Sequence, residues 1–319
     1  MFFIFKLENQ SVKQLRIGIT GASGFIGQEL VRLLSAQGHE LVVLSRSAKK
    51  WKQNSAVTVI EADLSQPKAE AIAKFTHDLD LLFHLAAELN QPSKMHATNV
   101  VGTQAIVDAL AINTKVVYLS SIGIFDLRQG ITVQEDSPFH PQNEYEKSKL
   151  AAEEIIRNKA GLKWVILRPS IILGQKMKSG LLQQLIQLYQ KKLCLRVAPK
   201  VMANFVLATD VVNALLLLGS TEKADGQEYN FSHDLLLSQF LTYLEQELKV
   251  KKSVSVSAGL FQALLKFLRF LKLISISKDG VAFFSNTTKI SSNKIVKELD
   301  FEFKADYHSF LKEYVNCTR

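Results

Sequence analysis

Cysteine is scarce in this sequence of 319 residues: Cys194 and Cys317 are all there is, which excludes a disulfide framework and suits a reducing compartment. A secretory leader or an N-terminal spanning helix is not expected, because Met1 to Phe5 (MFFIF) is too short and no basic flank precedes it; the expected location is the cytoplasm. Internal repeats and low-complexity segments are missing. No nucleic-acid motif accompanies the net charge of +9, which is spread along the chain rather than gathered in a block. Anionic small molecules account for part of that charge, and no nucleic acid is expected as a partner. His84 has no partner at metal-ligand spacing, so no metal is expected and the imidazole reads as a neutral side chain.

What is present begins at Thr20-Gly21-Ala22-Ser23-Gly24-Phe25-Ile26-Gly27. Leu15 to Thr20 (LRIGIT) suits a buried parallel strand, and Ile26, Leu30, Leu33 and Leu34 recur at helical spacing. Between them, Gly21 allows a tight turn, Gly24 lets the main chain approach phosphate oxygens, and Gly27 lets helix and strand pack closely. Three glycines spaced G-x-x-G-x-x-G also fit an ordinary strand-to-helix turn, but a strand before and a helix after favour a dinucleotide held at a helix N-terminus. Further apolar runs, ELVVL from Glu40, VTVI from Val57, LDLLFHL from Leu79, KVVYLS from Lys115 and KWVIL from Lys163, alternate with helix-length segments. That pattern predicts an α/β fold with a doubly wound parallel sheet, the Rossmann arrangement, whose strand ends gather a ligand crevice.

Far downstream, a helix is expected to start near Asn143 and to carry Tyr145 and Lys149 on one face at i and i+4. Alone, the pair also fits a half-buried anchor beside a solvated lysine. Beside a dinucleotide site it becomes an acid/base pair, because an ammonium and an oxidised nicotinamide favour the phenolate of a tyrosine whose ordinary pKa is near 10. Ser120 and Ser121 end the expected fifth strand, and Asn99 reads as a structural or proton-relay residue rather than a substrate contact.

In order along the chain, TGASGFIG (20–27), ADL (62–64), FHLAA (83–87), NVVGT (99–103), YLSSIGIF (118–125), YEKSK (145–149) and LRPSIILG (167–174) resemble the extended short-chain dehydrogenase/reductase family, with weaker echoes at ATDV (208–211) and YNFS (229–232). The resemblance covers about the first 175 residues. It implies Ser121, Tyr145 and Lys149 as the catalytic set, with Ser120 as substitute for Ser121. It also implies cofactor contacts from Gly21, Ser23, Gly24, Phe25, Ile26 and Gly27, from Ser45 and Arg46, from Asp63 and Leu64, from Leu85, Ala86 and Ala87, and from Tyr145, Lys149 and Pro169. Where relatives that use NAD tend to carry Asp, this chain has Ser45 followed by Arg46, so NADP is favoured over NAD; the alternative is that Arg46 is a solvated loop residue.

A nucleotide domain of residues 1–174 plus about 205–234 is expected, with a smaller, mainly helical substrate domain of about 175–204 plus 235–319. QKMKSG after Gly174 reads as a linker, a helix begins at Leu181, and Asp210 is the expected N-cap of a later helix. Ser257 to Ile276 places Gln262, Lys266 and Arg269 on a polar stripe with Leu260, Phe261, Leu264, Leu265, Phe267, Leu268 and Leu271 around it. It reads as a lid or substrate-domain helix in preference to a membrane-surface helix, and either role makes an apolar substrate more plausible. Epimerases of the family often carry Arg two residues before the aromatic that precedes the returning Asp; counted back from Phe205, this chain has Ala203. Arg196 or Lys200 would have to supply that charge, so a reductase or alcohol dehydrogenase is expected ahead of a nucleotide-sugar epimerase or dehydratase, with a non-catalytic assembly or membrane-associated subunit as a third reading. The expected partner is a small-molecule substrate, and a homodimer is left open.

Overall fold

The computed structural model describes residues 14–51, 57–127, 130–175, 181–190, 195–197, 200–250, 253–270 and 286–318. Met1 to Phe5, Cys194, the linker beyond Gln175, residues 271–276 and the side chain of Arg196 lie outside the described residues. The apolar runs form strands because Val, Ile and Leu fill them and a parallel strand covered on both faces needs no polar side. They are β1 (Arg16–Thr20), β2 (Glu40–Ser45), β3 (Val57–Glu61), β4 (Leu81–His84), β5 (Lys115–Leu119), the short β6 (Thr132–Val133) and β7 (Lys163–Pro169). Short strands β8 (Ile171–Leu173), β9 (Leu195–Val197), β10 (Met202–Ala203) and β11 (Phe205–Leu207) lead to β12 (Gln227–Phe231), which takes up the YNFS motif, and β13 (Leu235–Leu236), β14 (Val254–Val256) and β15 (Lys289–Ile290) follow.

Seven strands form one all-parallel sheet in the order β12-β7-β5-β4-β1-β2-β3. The chain winds outward from β1 to β3, returns beside β1 with β4, and winds outward again, so a crevice opens where β1 and β4 part. Helices α1 (Phe25–Ala36), α2 (Ala69–Thr76), α3 (Pro92–Met95), α4 (Gly102–Ala109), α5 (Glu144–Asn158), α6 (Leu181–Gln190), α7 (Ala208–Ser220), α8 (Leu237–Glu247) and α9 (Ala258–Phe270) connect or flank the strands, with two more over Asn293–Leu299 and Tyr307–Thr318.

Strand alternation sorts the core. Ile17, Ile19, Val117 and Val165 face α1 and α7 through Leu30, Leu34, Val211 and Leu215, while Val42, Leu82, Val116 and Ile166 face α2, α4 and α5 through Phe75, Ile106 and Ile156. A separate cluster joins α6, α8, α9 and the C-terminal helix through Leu185, Phe240, Leu244, Phe261, Leu265 and Leu311. Asp210 is not the N-cap of α7. The helix runs straight out of β11 with Leu207 as its cap, and Asp210 is buried inside its first turn, where its Oδ1 accepts from the Lys304 amide at 3.0 Å. The helix expected over 257–276 is present as α9, but its apolar surface is only partly covered: Phe261 and Leu265 are buried, whereas Leu260, Phe267 and Phe270 are exposed.

One segment ties distant loops together. Thr288 Oγ1 accepts from the Gly130 amide at 3.0 Å, the Asn204 side chain donates to Thr288 O at 3.1 Å, and the Ile290 amide donates to Asp234 Oδ2 at 2.7 Å. β15 pairs with β6 beside these contacts, and Ser292 Oγ accepts from the Ser232 amide at 2.8 Å.

Candidate active site

A cavity of about 550 Å³ lies above the C-terminal strand ends. It gathers all the expected catalytic and cofactor-binding residues: Gly21 and Ser23 through Gly27, Ser45 and Arg46, Asp63 and Leu64, Leu85 to Ala87, Ser121, Tyr145, Lys149 and Pro169. Glu88, Lys94, Thr98 and Ser170 line it as well and were not foreseen. Their signal was position alone, since Glu88 follows FHLAA, Thr98 precedes NVVGT and Ser170 follows the proline of LRPS.

The turn suits a dinucleotide. Gly21 has φ +69° and packs so closely on the backbone just after β4 that a Cβ there would lie 2.7 Å from the Ala86 amide nitrogen; on Gly27 a Cβ would lie 2.6 Å from Cα of Ala22. Gly24 caps α1 without any side-chain bond and the first helical turn carries no acid, so the helix N-terminus meets an anionic pyrophosphate with free amides and no repelling charge. At the end of β2, Ser45 turns its hydroxyl onto Ser47, accepting from its amide at 3.3 Å, and leaves the exposed Arg46 as the polar group facing the cavity. Asp63 Oδ1 accepts from the Ser65 amide at 2.9 Å; these bonds, with Arg46 and Lys94 adding to them, hold its carboxyl below the usual range.

The reacting groups sit on α5 and after β5. Asn143 and Glu146 cap α5 reciprocally, with Asn143 Oδ1 accepting from the Glu146 amide at 3.0 Å, so the glutamate of the YEKSK motif helps fix where the helix starts. The sequence carried this signal as N-x-x-E. Tyr145 and Ser121 line the cavity together. Burial pushes the Tyr145 phenol up to about 12, and the Ser121 hydroxyl opposes that rise. Ser121 also accepts from the Gly123 amide at 3.1 Å, while Ser120 is buried with no partner for its hydroxyl among the described residues. Lys149 is buried, donates to Leu119 O at 2.6 Å and lies 4.1 Å from the centre of the Tyr118 ring. Burial pushes its ammonium down to about 7, opposed by the Glu153 carboxylate one turn on.

Behind these groups stands a polar scaffold. His84 contacts Thr20 Oγ1 at 2.6 Å through Nδ1 and Thr103 Oγ1 at 2.9 Å through Nε2. Thr103 gives its own proton to Asn99 O, so it accepts from Nε2–H and the imidazole is neutral in that tautomer. Burial, with Lys149 adding to it, pushes His84 down to about 3, which removes it from any role as a base. Asn99 lies in a single π-helical turn, His96–Val101, and there accepts from the Glu88 amide at 2.7 Å and donates to Ser148 Oγ at 2.9 Å. It thereby ties the Glu88 loop to the helix carrying Tyr145. Under Lys149, the fully buried Arg168 and Glu153 pair at 2.7 Å, and Glu228 and Arg157 complete the network.

Two sequence features fall away from this centre. Ala203 is buried in β10, and none of the described residues of α9 lines the cavity. Among the described residues no group of three His, Cys, Asp or Glu gathers to hold a metal, and no helix is long and apolar enough to cross a membrane.

Known proteins share the pattern. A UDP-glucose 4-epimerase of Halalkalibacterium halodurans is 29% identical over 166 residues, which cover 48% of this chain and 50% of that protein. A 2-alkyl-3-oxoalkanoate reductase of Stenotrophomonas maltophilia is 30% identical over 173 residues, covering 50% of this chain and 52% of the other. The match thus spans about half the length of these relatives. The solved UDP-glucose 4-epimerase of Thermotoga maritima, with UDP-glucose, has the same fold with a TM-score of 0.71 over 95% of this chain and 99% of that one, at 20% identity. The model of the NAD dependent epimerase/dehydratase family matches residues 17–231, two-thirds of the chain and nearly the whole span from β1 to the end of β12, and the chain belongs to that family.

Proposed function

We propose that this chain catalyses reversible hydride transfer at a secondary carbinol and uses it for epimerisation of a nucleotide-linked sugar. One observation carries the reading: Ser121, Tyr145 and Lys149 meet in the cavity that also holds the glycine turn. The family and the epimerases among its relatives support the choice of reaction.

The nicotinamide, when bound, supplies a hydride acceptor and donor. Tyr145 takes the carbinol proton at its phenolic oxygen and returns it when the carbonyl is reduced. Its pKa of about 12 makes it a poor base in the empty site, so the proton transfer needs help from charge. Lys149, buried, held by Leu119 O and one helical turn on from Tyr145, brings a cation to the same cavity, and Ser121 donates to the substrate oxygen or to the phenolate. Glu153, clamped by Arg168 and Arg157, favours the charged form of Lys149.

Division into a nucleotide-binding unit of residues 1–174 and about 205–234 and a smaller substrate unit belongs to the same proposal. So does preference for NADP, supported by Arg46 and by the lack of a carboxylate at the end of β2. A second reading, net reduction of a carbonyl compound, is favoured by Ala203, which offers no charge to a diphosphate, and by the reductase among the relatives.

The test is turnover of UDP-glucose without added cofactor by protein purified with whatever dinucleotide it retains. Appearance of the C4 epimer with no net change in nicotinamide absorbance supports epimerisation. Stoichiometric NADPH consumption with a 3-oxo acid, and no epimer, would replace it with the reductase. Dinucleotide binding without either turnover would leave a non-catalytic subunit.

A further inference from the structure

Helix α9 has a second face that the site does not use. Phe261 and Leu265, 3% and 2% exposed, pack into the cluster with α6, α8 and the last helix. On another side, Leu260 is 60% exposed, Phe267 57% and Phe270 81%, with the exposed Ala263 between them. Their spacing of three, four and three residues puts all four on one stripe of the helix. The two faces are distinct: one anchors α9 to the protein and the other projects large apolar side chains outward.

Charge says what chemistry meets that stripe. Every charged residue between Glu247 and Asp279 is lysine or arginine. Lys266 and Arg269 stand exposed on α9 itself, the first of them beside the apolar stripe. A protein partner would need a hydrophobic groove rimmed with acids; an anionic lipid surface offers both features at once, an apolar interior under a negatively charged plane. At 13 residues α9 is about 20 Å long, shorter than the hydrocarbon core of a bilayer, so it suits lying in the plane and not crossing.

We propose that α9 docks the protein on anionic membranes, with Leu260, Phe267 and Phe270 inserted at the level of the acyl chains and Lys266 and Arg269 against the headgroups. The cavity is lined by other elements, so docking leaves the active site's machinery in place. This does not rest on the proposed reaction.

Flotation of the full chain with vesicles of phosphatidylcholine alone, or of phosphatidylcholine with 30% phosphatidylglycerol, tests it. The wild type is expected to float with the anionic vesicles at low salt, to float poorly with neutral ones, and to be released by high salt. Phe267→Ser combined with Phe270→Ser should weaken binding at least about tenfold, and Lys266→Glu combined with Arg269→Glu by a similar factor, since each cation near an anionic surface contributes about fivefold. Both variants should keep the wild-type melting temperature, because the changed residues are exposed. No flotation of the wild type would overturn the proposal. So would flotation unaffected by either double variant, or concentration-dependent self-association that Phe270→Ser abolishes, which would make the stripe a contact between copies of this chain.

Discussion

Around Lys149 the protein buries charge, and along α9 it exposes hydrocarbon. Each is costly alone, and the two are handled differently. Lys149, Arg168 and Glu153 are removed from water but held by a carbonyl, a ring face and opposite charges, so every misplaced charge has a fixed neighbour. Phe267 and Phe270 have no such neighbour within the described residues and meet solvent directly. The difference separates chemistry that must keep its geometry in the isolated molecule from a surface whose counterpart is supplied from outside.

Substitutions can sharpen the contrast or break it. Tyr145→Phe should have the largest effect: turnover falls by roughly two to four decades while dinucleotide affinity, measured by titration, stays close to wild type. Near-normal turnover would remove the phenol from the mechanism. Next comes Arg168→Met, which leaves the Glu153 carboxylate buried without its main partner and should cost about 3–5 kcal/mol in denaturant unfolding; a loss under about 1 kcal/mol would mean that the network contributes little.

Ser121→Ala should lower kcat/KM by about a hundredfold, as loss of one donor to a developing oxyanion does. Because the Ser121 hydroxyl lowers the Tyr145 pKa, its removal should also move the rising alkaline limb of alcohol oxidation to higher pH, since the phenolate is the form that accepts the proton. An unmoved limb would separate Ser121 from the phenol. Arg46→Ala should weaken NADPH binding by about 1.5–3 kcal/mol and leave NADH nearly unchanged; equal losses would show that Arg46 does not distinguish the two. Smallest of all, Phe270→Gln should shift stability by no more than about 0.5 kcal/mol in the absence of membranes, and a drop of several kcal/mol would mean that this face is covered in solution.

The sheet and crevice were legible because they are set by local backbone needs. Gly21 at φ +69°, Gly27 under a crowded backbone, and Val- and Ile-rich runs each leave a residue-level mark that does not depend on distant partners. Tyr145 and Lys149 were expected on one face at the start of a helix and Ser121 came from the family resemblance; the structure lines one cavity with all three. Glu88 left no mark of its own, and Asn99 was read as a structural or proton-relay residue without its partners, because the bond between them crosses a loop and a π-helical turn. Asp210 was misread because a helix that continues directly from a strand has no turn to cap, and the true partner, the Lys304 amide, is 94 residues away. Periodicity likewise revealed that α9 is apolar nearly all round, but which part is buried depends on α6, α8 and the C-terminal helix packing against it.

The stretch from Asn286 to Ser292 has a mechanical consequence. It bonds at once to Gly130, to Met202 and Asn204, and to Ser232 and Asp234, five residues on three separate stretches of the chain. A strap fastened at so many places cannot peel away one bond at a time without exposing the rest. Deuterium uptake at the amides of Gly130, Ser232 and Ile290 should therefore proceed at one common rate, as a single opening event, and any widening of the crevice must take place through segments that this strap does not reach.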